Sequence, residues 1–167
     1  ILDTLIADEQ DRLFHRTTQC EAPLRLTETL QQYIRFSGKE RQIWKKYGET
    51  LKKIIESYAP GQRKEIAMHP NGLLWAQMDG VALSWMNAYV YGHPVTERAG
   101  YQVETNALWY NAVSYALALA KKMGDKEFEK EWKALPAQIQ KSFVEMFYIS
   151  EEGYLADYVD SCGRDAA

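Results

Sequence analysis

"IWKKYGETLKKIIESYAPG", Ile43 to Gly61, places apolar side chains at Ile43, Trp44, Tyr47, Leu51, Ile54, Ile55 and Tyr58. The steps of three and four residues are those that line one face of a helix. Lys45, Lys46, Lys52 and Lys53 fall between them with Glu49 and Glu56, which reads as a solvated helix face. Ala59-Pro60-Gly61 ends the helix. Upstream, Leu24, Leu26, Leu30, Tyr33 and Ile34 follow Pro23, which suits a helix start, and that run stops near Ser37-Gly38. The two helices are expected to form a hairpin with a tight turn. Downstream, Leu108, Val113, Ala116, Leu117 and Ala120 predict a strong helix over 106–122. Phe128 and Trp132 mark another helix up to Leu135-Pro136, and Ile139, Phe143, Val144 and Phe147 one more.

Between the second and third of these helices the helical period breaks. "IAMHPNGLLWAQ", Ile66 to Gln77, alternates around Pro70-Asn71-Gly72 and predicts a small β-hairpin or an ordered loop. A short helix over 81–89 is predicted to carry Trp85 and Met86. "YGHPVTERAGYQ", Tyr91 to Gln102, then reads as a long loop, with His93-Pro94 as turn chemistry. The tail from Glu151 onward is loop-like, and Asp157 and Asp160 read as solvated or capping residues. The class expected is all-α, helix pairs alternating with long loops, without the fixed-period self-similarity of a repeat array. Residues 1–167 are read as one domain.

The chain has 167 residues, long enough for one domain with a real core, and 46% of them are apolar. A net charge of −3 with no basic stripe argues against nucleic acid as a partner. No apolar run is long enough to span a bilayer, so no membrane is expected. His15, His69 and His93 are scattered, and Cys20 and Cys162 lack metal-ligand spacing. Neither a metal nor a cofactor is expected, and the cysteines read as free thiols of a reducing, cytoplasmic compartment.

Residues 79–104 hold Asp79, Asn87, Glu97, Arg98 and Glu104 among Trp85, Tyr89, Tyr91 and Tyr101. Glycoside hydrolysis commonly uses two carboxylates flanking the scissile bond, ~6.5–9.5 Å apart in an inverting enzyme. An arginine fork can hold sugar hydroxyls, and aromatic rings suit the C–H faces of a pyranose. The same residues also read structurally. Arg98 could pair with Glu97 or Glu104, Glu104 could favour the N-terminus of the following helix, and Trp109 could be helix core. On residue types alone, a sugar-cleaving site, a sugar-binding site and a helical scaffold for protein partners all stay open.

The wording of the stretch adds to this. Asn71-Gly72-Leu73-Leu74, Ser84-Trp85-Met86-Asn87, Thr96-Glu97-Arg98-Ala99-Gly100 and Val103-Glu104-Thr105-Asn106-Ala107-Leu108-Trp109-Tyr110-Asn111 follow one another. Together they resemble the amylo-α-1,6-glucosidase domain of glycogen debranching enzymes, with its "DGLL", "TWMD" and "TPR-x-G-x-x-VE-x-NALWYN" motifs. The likeness extends back to Ala22-Pro23-Leu24, where the family has "APLWF", and forward to Gly153–Asp160. It implies an (α/α)6 toroid, of which 167 residues would be a part, and inverting hydrolysis of α-1,6-linked glucose. The implied partner is a branched α-glucan or limit dextrin. It also implies that Trp85, Arg98, Glu104, Asn106 and Trp109 line or support the glucose pocket. Two positions depart from the pattern: Asn87 stands where the family has its general acid Asp, and Arg25 where it tends to have an aromatic. Asp79 and Glu97 are the candidate substitute acids, and the family's base lies further along than residue 167.

Overall fold

The computed structural model describes residues 20–161 and 163–165. Helix α1, Ala22–Ser37, begins with Pro23 in its first turn and ends at Gly38, whose φ of 66° lets its N–H reach Ile34 O at 2.8 Å. Helix α2, Glu40–Glu56, follows at once and buries Ile43, Gly48, Leu51 and Ile55. Gly48 lies under the Trp44 ring, where a Cβ would come within 3.0 Å of the indole. The predicted hairpin is thus present, held by the apolar stripes read from the sequence.

Helix α3, Val103–Met123, is the hub. It packs against α1, α2 and the two helices that follow, α4 (Lys126–Trp132) and α5 (Leu135–Phe147). A helix with neighbours on several sides needs small side chains where backbones approach, and Ala112, Ala116 and Ala120 are fully buried. Gly124 closes α3 at φ 82°, and Asp125 caps α4 by accepting the Phe128 N–H at 3.1 Å. The main core joins Leu24, Ile55, Tyr58, Trp109, Val113, Ile139 and Phe147. A second cluster of Leu30, Ile34, Ile43, Leu51 and Leu119 lies between α1, α2 and the later part of α3.

The all-α reading needs an addition, because short strands occupy the segments between the helices. β1 (Ile66–Met68) and β2 (Leu74–Ala76) form the expected hairpin, with Ala67 opposite Trp75. β3 (Tyr89–Val90) and β4 (His93–Pro94) form another inside the predicted loop. Its tip, Tyr91-Gly92, has φ of 50° and 79°, the left-handed pair a two-residue hairpin turn requires. β5 (Tyr101–Gln102) pairs with β8 (Tyr158–Asp160), which pairs with β9 (Gly163–Asp165). β6 (Tyr148–Ile149) and β7 (Tyr154–Leu155) make one more antiparallel pair. Strands of two or three residues are too short to show a readable alternation. The tail expected as loop therefore closes a small sheet over the start of α3.

The short helix expected over 81–89 is absent. Its backbone groups are engaged elsewhere: Leu83 O accepts from Cys20 N at 2.9 Å, and Ala82 N donates to Tyr89 Oη at 2.9 Å. Ser84 Oγ takes the Met86 N–H at 3.2 Å, a local bond that competes with helix. The helix expected from 106 starts three residues earlier, at Val103. Cys20 is a free, buried thiol, whose pKa burial pushes up to about 12. Cys162 and His15 lie outside the described residues.

Candidate active site

The first turns of α3 organise the site. Asn106 is fully buried, and its side chain does the work of a missing strand. Oδ1 accepts from Leu74 N at 2.7 Å, while Nδ2 donates to Leu74 O at 3.1 Å and to Gln102 O at 3.0 Å. Trp109, also fully buried, donates from Nε1 to Gly72 O at 3.0 Å and tilts against the Tyr58 ring. These two side chains fasten the Asn71–Leu74 loop to the helix. Both were expected to line or support a glucose pocket. With no exposed surface they hold that loop from behind and offer no face to a ligand.

Gly100 and Arg98 carry the next layer. Gly100, at φ 133°, bonds Ala76 in both directions, at 2.9 and 2.8 Å, and lies so close to β8 that a Cβ would collide with Val159 O. Arg98 is in the left-handed region too, at φ 48°, which is uncommon for a residue with a side chain. Its carbonyl accepts from Gln102 Nε2 at 3.0 Å, and Gln102 is itself held by Thr105 at 2.9 Å. Such strain persists where surroundings over-determine it, and it concentrates at functional sites.

The Arg98 guanidinium is buried between two carboxylates. Nη1 bonds Glu104 Oε1 and lies 3.3 Å from Ser84 Oγ. Nη2 donates to Glu104 Oε2 at 2.7 Å and to Asp157 Oδ1 at 2.9 Å. Nε lies 2.9 Å from Asp157 Oδ2, in charge contact but off the line of a hydrogen bond. Burial alone would disfavour the cation, but Glu104 and then Asp157 more than offset it and raise the Arg98 pKa. Glu104 and Asp157 keep 22% and 31% of their side chains exposed, so their outer edges can accept from hydroxyl groups. From the sequence Arg98 is expected to meet sugar directly, and it lines one of the two clefts beside the cluster. Its Nη1 and Nη2 bond protein while Nε makes no hydrogen bond, and the guanidinium holds two carboxylates in place. Asp157 is neither a solvated loop residue nor a cap, because it completes this pair.

Two clefts open beside the cluster. One, of about 590 Å³, is lined by Trp75, Gln77, Glu97, Arg98, Asp157 and Tyr158 among others. The other, of about 540 Å³, includes Lys64, His69, Trp75, Gln77 and Asp79. The candidate acids are thus separated: Glu97 faces the same cleft as Asp157, and Asp79 faces the neighbouring one. Asn87 is exposed and lines neither cleft, while Met86 beside it lines the first. Trp85 is 53% exposed, while Ser84 before it is buried and meets Arg98, so the Ser84–Asn87 loop is tied to the cluster and presents its indole to solvent. Among the described residues no group of His, Cys, Asp or Glu is placed to hold a metal ion.

One acidic residue escaped the sequence reading. Glu21, just before α1, is 2% exposed, and its Oε2 has no hydrogen-bond partner. Burial pushes its carboxyl above the usual range, and nearby Glu104 adds to this, against backbone amides of Glu21 and Trp85 and the charge of Arg25. Pinning of Cys20 to Leu83 brings Glu21 beside the Trp85 loop. An acid ahead of Ala-Pro reads as an ordinary helix start, and only the folded chain shows it buried.

A family model described as amylo-alpha-1,6-glucosidase matches residues 4–167. The chain belongs to that family. Neither a curated protein nor a solved structure gives a significant match to it. The amylo-alpha-1,6-glucosidase assignment agrees with the resemblance carried by the Ser84–Asn111 motifs, and it associates this domain with glycoside hydrolase chemistry and a glucan substrate. The residues of those motifs converge: Ser84, Arg98 and Glu104 meet directly, and Asn106 and Trp109 hold the loop behind them. No helix among the described residues is long and apolar enough to cross a membrane.

Proposed function

We propose that the domain acts in glycogen debranching, hydrolysing α-1,6-linked glucose from a branched glucan or limit dextrin by single displacement with inversion. In this reading residues 1–167 are one portion of an (α/α)6 toroid in the whole protein, which works in the cytoplasm, where the Cys20 thiol stays reduced. The observation that carries it is the buried Arg98 holding Glu104 and, in the wall of a cleft that Trp75 and Tyr158 also line, Asp157. Acceptors in fixed positions beside an aromatic ring are what hydroxyl-bearing sugar requires.

Glu104 and Asp157 serve as ligands for sugar hydroxyls and are not the acid and base. Both touch the same Arg98 nitrogen, at 2.7 and 2.9 Å, so their nearest oxygens are closer than the ~6.5–9.5 Å an inverting pair needs for its water. Asn87 cannot give a carboxylic proton. Glu97, in the same cleft as Asp157, is the better substitute acid, and Asp79 the weaker. The base comes from the segment that follows these residues in the family pattern.

A second reading is favoured by Asn87 itself: a glucan-binding relative that holds dextrin and releases little glucose. General acid catalysis contributes ~10²–10⁴-fold, so its loss would spare binding and cripple turnover. Glucose release from a limit dextrin by the whole protein separates the two, with Asn87→Asp and Glu97→Gln alongside. Hydrolysis by the natural chain that collapses in Glu97→Gln supports the first reading. Silence in the natural chain with activity in Asn87→Asp supports the second. Failure of the natural chain to bind dextrin at all overturns both.

A further inference from the structure

The cleft that holds Asp79 contains an aromatic cluster outside the Arg98 site. His69 and Trp75 face each other on β1–β2 with ring centroids 5.5 Å apart and planes within 8°. Tyr101 stands edge-on to both, 4.9 Å from Trp75 and 5.6 Å from His69, and its hydroxyl lies 2.9 Å from His69 Nδ1. The Trp75 Nε1–H donates to Gln77 Oε1 at 3.2 Å. The indole is therefore fixed in orientation before any ligand arrives, and a ligand that uses it immobilises no free side chain. Trp75 is only half-buried, and what remains exposed lines both clefts, as does Gln77.

We propose that this cleft is a chain-holding subsite, in which Trp75 supports the glucose units of the same α-glucan whose branch stub lies in the Arg98 cleft. The inference rests on the glucan reading above and deepens it. Continuity is the first argument: the two clefts adjoin at Trp75 and Gln77, so a polymer that leaves one over this edge enters the other. Chemistry is the second. The rim carries Lys64 and Asp79, exposed and without side-chain partners among the described residues, beside Glu65, which is paired to Arg63. Mixed single charges flanking an indole suit a neutral, hydroxyl-rich chain. A polyanion would need a basic track, which this rim lacks. The assignment also gives Asp79 a role as a hydroxyl acceptor, which leaves Glu97 as the substitute acid.

The test is affinity of the whole protein for glucose and for linear maltooligosaccharides of two to seven units, by calorimetry. Expected is an affinity that rises with length in the natural chain. Trp75→Ala should lose ~10-fold for the longest chain, a loss of about 1.4 kcal/mol, and less than ~2-fold for the shortest ligand that binds. Trp75 also packs the hairpin, so Trp75→Phe and the exposed Lys64→Ala are measured beside it. Both keep the backbone, and each should lose roughly 3-fold for the longest chain alone. Length dependence unchanged in the folded variants overturns the subsite while the glucan reading stands. No oligosaccharide or dextrin binding by the natural chain overturns both.

Discussion

The helical body buries side chains such as Leu24, Ile55, Val113 and Ile139 in one core, whereas the face built from residues 66–102 and 148–161 hangs on polar side chains. Asn106 and Trp109 reach out of α3 to Leu74 and Gly72, and Arg98 ties Ser84, Glu104 and Asp157 into one knot. The body's contacts are non-directional and many. Those of the site face are few, directional and dependent on unusual backbone at Arg98 and Gly100. The difference explains where the protein is vulnerable. Apolar packing tolerates exchange of one hydrocarbon for another of like volume, while a buried polar group that loses its partner bears its full desolvation cost.

That contrast can be broken by striking the site face alone. Gly100→Ala should do most. A left-handed backbone with a side chain costs ~1–3 kcal/mol and the collision with Val159 O a further ~1–3 kcal/mol. Hydrogen exchange should show amides of β2, β5 and β8 losing protection while α1 and α2 keep theirs. Equal loss throughout would mean that the two regions form one cooperative unit.

Arg98→Met comes next. Two carboxylates would face each other unpaired, at a cost of about 2–3 kcal/mol, less than the ~3–5 for a fully buried pair because both stay partly wetted. Chemical denaturation measures it, and dextrin binding should fall with it. Arg98→Lys should rescue little, since an ammonium cannot serve two carboxylates as a fork does. Full rescue by Lys would show that charge alone matters here.

Trp109→Phe keeps most of the buried volume and removes one donor, leaving Gly72 O unsatisfied at ~1–3 kcal/mol. A loss close to zero would place the fastening of the Asn71–Leu74 loop on Asn106 alone.

The smallest effect is one of pH. Glu21 is held above its ordinary value of 4.5, chiefly by burial, so the folded chain keeps a proton that the unfolded chain has released. Its contribution is fully present below that ordinary value and is lost as pH rises through the raised one. Melting temperatures followed upward from pH 4 should therefore fall more in the natural chain than in Glu21→Gln. Parallel curves would show that Glu21 titrates as an exposed carboxyl does.

Much of the helical body could be read directly from the chain. Period and punctuation located α1, α2 and the later helices, because Pro23, Gly38 and Gly124 act within a turn of where they stand. The β1–β2 hairpin was legible at Asn71-Gly72 for the same reason. The helix expected over 81–89 failed because Ser84, Leu83 and Ala82 bond to Met86, Cys20 and Tyr89, two of them bonds that a sequence window weighs poorly against apolar period. In the candidate site, the motif residues converge in space, but which of them pair with protein and which are buried behind the loop was not visible in the sequence. Asn106 and Trp109 lie behind the loop, Arg98 holds carboxylates, and Asp157 and Glu21 were unremarkable in the sequence.

The sequence by itself determined the helical class, the hairpin and the amylo-alpha-1,6-glucosidase family, since each is carried by residues close together in the chain or by wording shared with relatives. Tertiary structure alone decided that Asp157 meets Arg98 across 59 positions, that Glu97 and Asp79 face different clefts, and that Trp75 stands between them. The physical reason is range. Periodicity and turn chemistry act over a few residues, whereas burial, charge pairing and the shape of a cleft depend on which distant segments are brought together.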